Sequence, residues 1–378
     1  MVIEEPAAVK AKPRVAILFG GRSSEHAVSC VTAAGVMGAI DTNKYEVIPI
    51  GIAKSGQWVL ASGDTSQWSL SSTSLPEVAA SGKTVTLAEI GGEHQLIVTE
   101  PNAVPQELGS VDVVFPLLHG PWGEDGTIQG LLELSDTRYV GAGVLASAVG
   151  MDKHFMKVVF EAAGLKVGPY IAVTDREWVT DPEAVRKRVD KLGFPVFVKP
   201  ARAGSSMGIS KVDSLEGLDA AVEEARRHDL KLVIEAGIIG REIECAVLQG
   251  RGTDVPRTSM PGEIAVAAGE HQFYDFAAKY VEDGAAALSC PADMPDEAIA
   301  RVRELAAVAF DAVGAEGLSR VDFFYTPAGE LIINEINTMP GFTPKSMYPQ
   351  MWAASGLGYA ELIDELIHLA LTRKTGLR

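Results

Sequence analysis

Cysteine is scarce. Cys30, Cys245 and Cys290 are the three in 378 residues, far apart and without a CxxC pair, so neither a disulfide framework nor a zinc site is indicated. Basic charge is short as well: 33 Lys and Arg against 50 Asp and Glu leave a formal net charge of −17. Nucleic acid and anionic membranes both need clustered cations, so neither partner is expected, and an anionic ligand would require a locally basic pocket. No run approaches the roughly 18 apolar residues of a membrane span, and the opening MVIEEPAAVKAKPR carries no apolar signal core. The expected location is cytoplasmic, with residues 1–13 a flexible tail. The histidines form no HExxH, no GxSxG elbow occurs, and no internal repeat is evident, which removes support for metalloprotease and serine-hydrolase readings.

What is present suits a soluble globular chain of two to three domains, with 47% hydrophobic and 22% charged residues. An apolar strand over 15–19 ends in Gly20-Gly21 and feeds a helical stretch over 24–40; further strands are expected over 45–52 and 111–118. This is the pattern of an open α/β sheet. Short runs over 58–60, 83–87 and 95–98 suggest a small β insertion. Helices are expected over 124–134, 147–163, 214–227, 296–313 and 359–372, and strands over 194–199, 208–212 and 232–235.

The stretch from Arg320 to Asn337 is the most pointed. RVDFFY and ELIINEIN flank a Pro-Ala-Gly turn, which reads as a hairpin. With the turn centred between Ala328 and Gly329, Asp322 falls opposite Glu335 and Arg320 opposite Asn337, all on one face. Opposed like charges on a sheet ask for a compensating cation, and hard oxygen donors favour Mg2+. The other reading is a solvated polar face with Arg320 neutralising the acids.

Four further places could carry chemistry. In KPARAGSSMG, Lys199 ends a strand and the backbone N–H groups of Gly204, Ser205 and Ser206 could cradle a phosphate; an ordinary Gly-Ser turn is the alternative. Glu235 and Glu242 bracket a strand end and could hold a ribose or adenine edge, or be plain edge charges. Glu25 lies where a strand feeds a helix, the usual ligand position in open sheets, and would suit an ammonium group. His119 also sits at a strand end. The stretch 269–284, aromatic and charged between glycines, has the look of an active-site lid.

In order and spacing, FGGRSSEHAVS, LHGPWGEDGTIQGLLEL, YVGAGVLASAVGMDK, VKPARAGSSMGISKV, DFAAKY, RVDFF and NEINTMPGFTPKS together resemble the D-alanine:D-alanine ligases of the ATP-grasp superfamily, from about Arg14 to Leu371. The resemblance implies a three-domain α/β fold: an N-terminal substrate domain over 14–141, a central subdomain over 142–235, and a C-terminal subdomain over 236–378 carrying the lid, with ATP between the last two. It also implies a homodimer, D-alanine and ATP as substrates, two Mg2+ ions for which Mn2+ can substitute, and K+ as a further candidate ion. The implied reaction makes D-alanyl-D-alanine through an acyl phosphate for peptidoglycan; a D-alanine:D-lactate or D-alanine:D-serine ligase is the alternative.

Position by position, the resemblance gives Asp322, Glu335 and Asn337 to the metals, and Arg320 with the Gly341 N–H to the oxyanion. Lys153, Lys199, Lys279 and the loop Gly204-Ser205-Ser206 would contact ATP phosphates. Glu235, Ala236, Ile238 and Glu242 would hold the nucleoside, with Asn334 beside Glu335. Glu25 would anchor the first D-alanine, near His119, and be bonded by Ser205 and Tyr280. Ser346 and Met347 would receive the second D-alanine carboxylate. Tyr280 favours an amine as the second nucleophile. Met339 replaces the commoner serine or threonine before Pro-Gly, and Ala236 stands where a hinge lysine is frequent, which puts the adenine contacts in doubt.

Overall fold

The structure is a computed structural model describing residues 11–65, 68, 75–90, 93–266 and 286–376. Strand Arg14–Gly20 lies inside the first sheet, paired in parallel with Glu46–Ile52 on one side and Val113–Pro116 on the other. Its run from Val15 to Phe19 is 0% exposed throughout, the burial on both faces that a parallel strand needs. Gly20 then turns the chain into helix His26–Ala39. Its φ is +88°, and a Cβ there would lie 2.4 Å from the carbonyl oxygen of Ile52, so only glycine fits.

The expected β insertion divides in two. Trp58–Leu60 folds back on Glu46–Ile52 and extends the first sheet. Thr84–Ile90, Glu93–Thr99 and Gln106–Ser110 make a separate antiparallel sheet.

A second sheet, antiparallel throughout, runs Ser210–Val212, Val196–Pro200, Lys231–Ala236, Tyr170–Thr174. Helix Leu218–Arg226 covers it with Leu218, Val222 and Ala225. The third sheet runs Ala286–Ser289, Gly262–Val266, Arg241–Leu248, Leu318–Tyr325, Leu331–Asn337.

Cores cross the expected domain limits. Helices Val144–Met151 and Lys153–Ala162 place Ala146, Met156 and Phe160 in the core of the third sheet, beside Phe310 and Ile336, although their residues were expected to belong with the second. Helices Met347–Ala354 and Tyr359–Thr372 pack Met351, Leu362 and Leu366 against Val15, Ile17 and Phe115 of the first sheet. Past the last helix, Arg373 donates to the carbonyl oxygens of Tyr139 (3.2 Å) and Gly141, pairs with Glu316 at 2.8 Å, and stacks 3.8 Å from the Tyr139 ring centroid. The chain end is thus tied back onto the first sheet.

Candidate active site

The hairpin Leu318–Tyr325 and Leu331–Asn337 pairs Asp322 with Glu335 and Arg320 with Asn337, the register read from the sequence. It gets there by an indirect route. Near the turn Tyr325 pairs with Leu331, and the register then shifts between Asp322 and Phe323, leaving Asn334 as a bulge. Ile333 and Ile336 consequently both face the core, while Asn334, Glu335 and Asn337 line the cleft. Strict alternation would have sent Ile333 to the cleft side with Glu335.

On this face Arg320 forks onto Asp322, Nε to Oδ1 at 2.7 Å and Nη2 to Oδ2 at 2.6 Å. Burial opposes the guanidinium charge, but Asp322 and Glu244 outweigh it and hold its pKa well above the ordinary value. The Asn337 amide donates to Asp322 at 3.1 Å and to Glu335 at 3.5 Å. Two carboxylates and an amide within reach of one another are a donor set for a hard cation. Turning the amide by half a revolution would present its oxygen to the same point. Among the described residues no three His, Cys, Asp or Glu side chains converge on a cation site.

Glu25 precedes helix His26–Ala39 and is 6% exposed. Ser205, 180 residues later in the chain, donates its hydroxyl to Glu25 Oε1. Two glycines allow the approach: a Cβ on Gly120 or Gly204 would stand 2.4 or 2.8 Å from Glu25 Oε2. Ser205 and Ser206 both hold left-handed backbone, φ 47° and 57°, a strain that non-glycine residues keep only where their surroundings impose it. Lys153 Nζ donates to Ala203 O at 2.7 Å, fastening the same loop.

The lysines meet Glu235. Lys199 approaches Oε2 at 2.7 Å and Lys157 Oε1 at 3.1 Å, so both oxygens are engaged by cations. Burial works against the Glu235 carboxylate, yet Lys199 and Lys157 pull its pKa down to about 2. Lys153 is pushed down by burial, partly offset by Glu335. Lys153, Lys157 and Lys199 thus gather around one carboxylate at this end of the sheet. Lys157, 3% exposed, was not singled out from the sequence; it lies four residues after Lys153, on the same face of the helix.

Glu124 is the second unanticipated residue. It accepts from Gly120 N–H at 2.6 Å and from Met339 N–H at 3.2 Å. Burial, and then the nearby charge of Glu25, push its carboxyl up to about 8. Its signal in the sequence is an acid in the Gly-rich turn at the carboxyl end of a strand. His119 also reaches the Met339 loop: Nδ1 lies 3.1 Å from Met339 O and Nε2 3.1 Å from Thr32 Oγ1. Both ring nitrogens therefore have protein partners, and burial lowers the ring's pKa, keeping it neutral.

Glu25, His119, Glu124, Lys153, Lys199, Ser205, Glu235, Arg320, Asp322, Glu335 and Asn337 border one cleft of about 1340 Å³, ample for a nucleotide and two amino acids; Lys157 stands behind it, against Glu235. Ala236, Ile238, Glu242 and Gly341 line it too. Ser346 stands at the N-cap position of helix Met347–Ala354 without a side-chain cap bond, its Oγ 2.8 Å from Thr343 Oγ1; Met347 is buried in the core cluster, and both residues also line the cleft. The expected lid 269–284, with Lys279 and Tyr280, lies outside the described residues.

Residues 14–142 match the family description "D-ala D-ala ligase N-terminus" and residues 159–368 match "D-ala D-ala ligase C-terminus". The chain belongs to the D-alanine–D-alanine ligase family. The ligase is 92% identical over 378 residues to the D-alanine–D-alanine ligase of Paenarthrobacter aurescens (strain TC1), with 100% of both chains covered. To that of Arthrobacter sp. (strain FB24) it is 88% identical, over 97% of this chain and 96% of the other. Among solved structures, the VanG D-Ala:D-Ser ligase of Enterococcus faecalis matches with a TM-score of 0.80 at 37% identity, over 95% of this ligase and 100% of that chain. The D-alanine-D-alanine ligase of Coxiella burnetii matches at 0.77 and 34%, over 95% and 94%. The fold is ATP-grasp.

Proposed function

We propose how this cleft performs the ATP-dependent joining of two D-alanines, the reaction of a D-alanine–D-alanine ligase in cell-wall synthesis. The observation that supports the assignment of roles is that Glu25, Ser205, Lys153, Lys199, Arg320 and Asp322, drawn from distant parts of the chain, border one cavity. Glu25 receives the ammonium of the first D-alanine, with the Ser205 hydroxyl holding the carboxylate in place. Lys153 and Lys199, with the N–H groups of Gly204, Ser205 and Ser206, draw the ATP phosphates into the basic part of the cleft. The carboxylate of the first D-alanine attacks the γ-phosphorus, ADP leaves, and an acyl phosphate remains.

Arg320 and the Gly341 N–H then stabilise the oxyanion formed when the second D-alanine's amine adds; its collapse expels phosphate, which takes up the proton the amine gives away, and leaves the peptide bond. Ser346 and the N-terminus of helix Met347–Ala354 take the second carboxylate. Met347, buried in the core cluster yet bordering the cleft, contributes its backbone N–H. Asp322, Glu335 and Asn337 would hold Mg2+, or Mn2+ in its place, which when bound neutralises charge on the transferring phosphoryl group. Lys279 and Tyr280 complete the site from the lid.

The domain limits stay at 141/142 and 235/236 as an approximate division by sheet; the second falls at the last residue of strand Lys231–Ala236, and helices cross both to reach another sheet's core. The enzyme works in the cytoplasm as a homodimer; among the described residues no helix is long and apolar enough to cross a membrane. Phosphate release that depends on D-alanine, with D-alanyl-D-alanine as the main product by mass spectrometry when D-lactate or D-serine is also supplied, is the expected result. Release without D-alanine, or a dominant mixed product, overturns the reading.

A further inference from the structure

Across three adjacent strands the register sets Glu244 opposite Asp322 and Asp322 opposite Glu335, a row of carboxylates on the cleft face of the third sheet. Among the described residues, Arg320 serves this row. Arg320 forks onto both oxygens of Asp322 at 2.7 and 2.6 Å, and its Nε also lies 3.1 Å from Glu244 Oε1. The Asn337 amide adds a third donor to Asp322 at 3.1 Å. A carboxylate engaged in this way has given part of its lone-pair capacity to the arginine and the amide, and a guanidinium beside a divalent cation raises the cost of binding that cation. Metal binding at Asp322 and the Arg320 fork therefore compete.

The arginine cannot simply be released. Its side chain is 17% exposed, and a buried cation without a counter-charge is strongly disfavoured. Glu244, whose side chain is 5% exposed, is the carboxylate already touching it on the side away from Glu335.

We propose that Glu244 is a positioning residue, a second anchor onto which Arg320 transfers when a divalent cation claims Asp322. The exchange leaves Nε held by Glu244 and frees the terminal nitrogens of the fork for the cleft, where the oxyanion forms. Loading the metal thereby readies the arginine. This inference rests on the metal role given above to Asp322.

The test is Mn2+ affinity in the presence of ADP, read by electron paramagnetic resonance on the full-length protein and four variants. Glu244→Gln is expected to weaken Mn2+ about tenfold, the scale of outer-sphere substitutions, because Arg320 then stays on Asp322. In an Arg320→Ala background the same substitution is expected to lose most of that effect, since no competitor remains. Equal shifts in both backgrounds, or no shift at all, overturn the exchange while leaving the metal site standing. Unchanged Mn2+ affinity in Asp322→Asn overturns the metal site itself and the exchange with it. Should Glu244→Gln fail to fold, Glu244→Asp, which keeps the charge but withdraws it by one methylene, is carried through the same cycle with the same two outcomes.

Discussion

Replacing Glu124 with glutamine should change how stability depends on pH. Burial and the charge of Glu25 raise this carboxyl from 4.5 to about 8, so between those values the folded chain keeps a proton that the unfolded chain has lost. The sign follows. A group whose folded pKa is raised gives its stabilisation in full below the unfolded value and loses it as pH rises through the folded one, after which the curve levels. At about 1.4 kcal/mol for each pH unit, the window from 4.5 to about 8 sets a ceiling of about 5 kcal/mol. Some relaxation of the ionised group toward the cleft lowers this, so a decline of about 2–5 kcal/mol is expected.

Glutamine cannot titrate, but its amide nitrogen faces the Gly120 N–H badly, which adds an offset independent of pH. The informative quantity is therefore the wild-type minus variant difference in unfolding free energy, measured by urea denaturation in steps from about pH 5 to about pH 9. A difference that falls through that range supports the reasoning; one that stays constant refutes it.

Gly120→Ala combines a positive φ of 73° with a Cβ 2.4 Å from Glu25 Oε2, and is expected to raise the KM for D-alanine at least about tenfold by moving the carboxylate. Ser205→Gly relieves a left-handed backbone worth about 1 kcal/mol or more but removes the hydroxyl that holds Glu25, so the protein should be no less stable, yet release more phosphate from ATP without D-alanine. Asp322→Asn or Glu335→Gln should each lower kcat by at least about 100-fold, checked by D-alanine-dependent phosphate release. Arg373→Ala breaks a partly buried ion pair with Glu316 and two carbonyl contacts, and should lower the denaturation free energy by about 2 kcal/mol.

The catalytic hairpin was legible because turn residues and opposed charges are local signals, but the agreement depends on compensation. From the turn centre assumed, strict pairing takes Tyr325 to Ile332; the observed partner is Leu331, and the bulge at Asn334 absorbs the difference before the pairs Asp322/Glu335 and Arg320/Asn337 are reached. Nothing short-range announces that bulge beyond the adjacent Ile332-Ile333, which breaks the alternation of a half-buried strand. Glu124 and Lys157 were invisible for another reason. Their partners Met339 and Asn334 lie 215 and 177 residues away, and a buried acid or lysine acquires its character from such contacts, not from its own neighbourhood in the chain. The stretch 147–163 reads as one helix but forms two, Val144–Met151 and Lys153–Ala162, with Asp152 capping the second; and amphipathicity says only that a face is buried, not which sheet buries it.

The sharing of one core by strand Arg14–Gly20 and helix Tyr359–Thr372 has a consequence for synthesis. The ribosome delivers the first sheet early, but the helices that cover Val15, Ile17 and Phe115 on that face follow only after the second and third sheets. Domain-by-domain folding during translation is thus closed to the N-terminal part, which stays partly uncovered until those helices emerge. A nascent chain stalled before residue 347 should be sensitive to protease within its first sheet and bind chaperone there, whereas the second sheet, with its own helix and core, can settle while the chain is still growing.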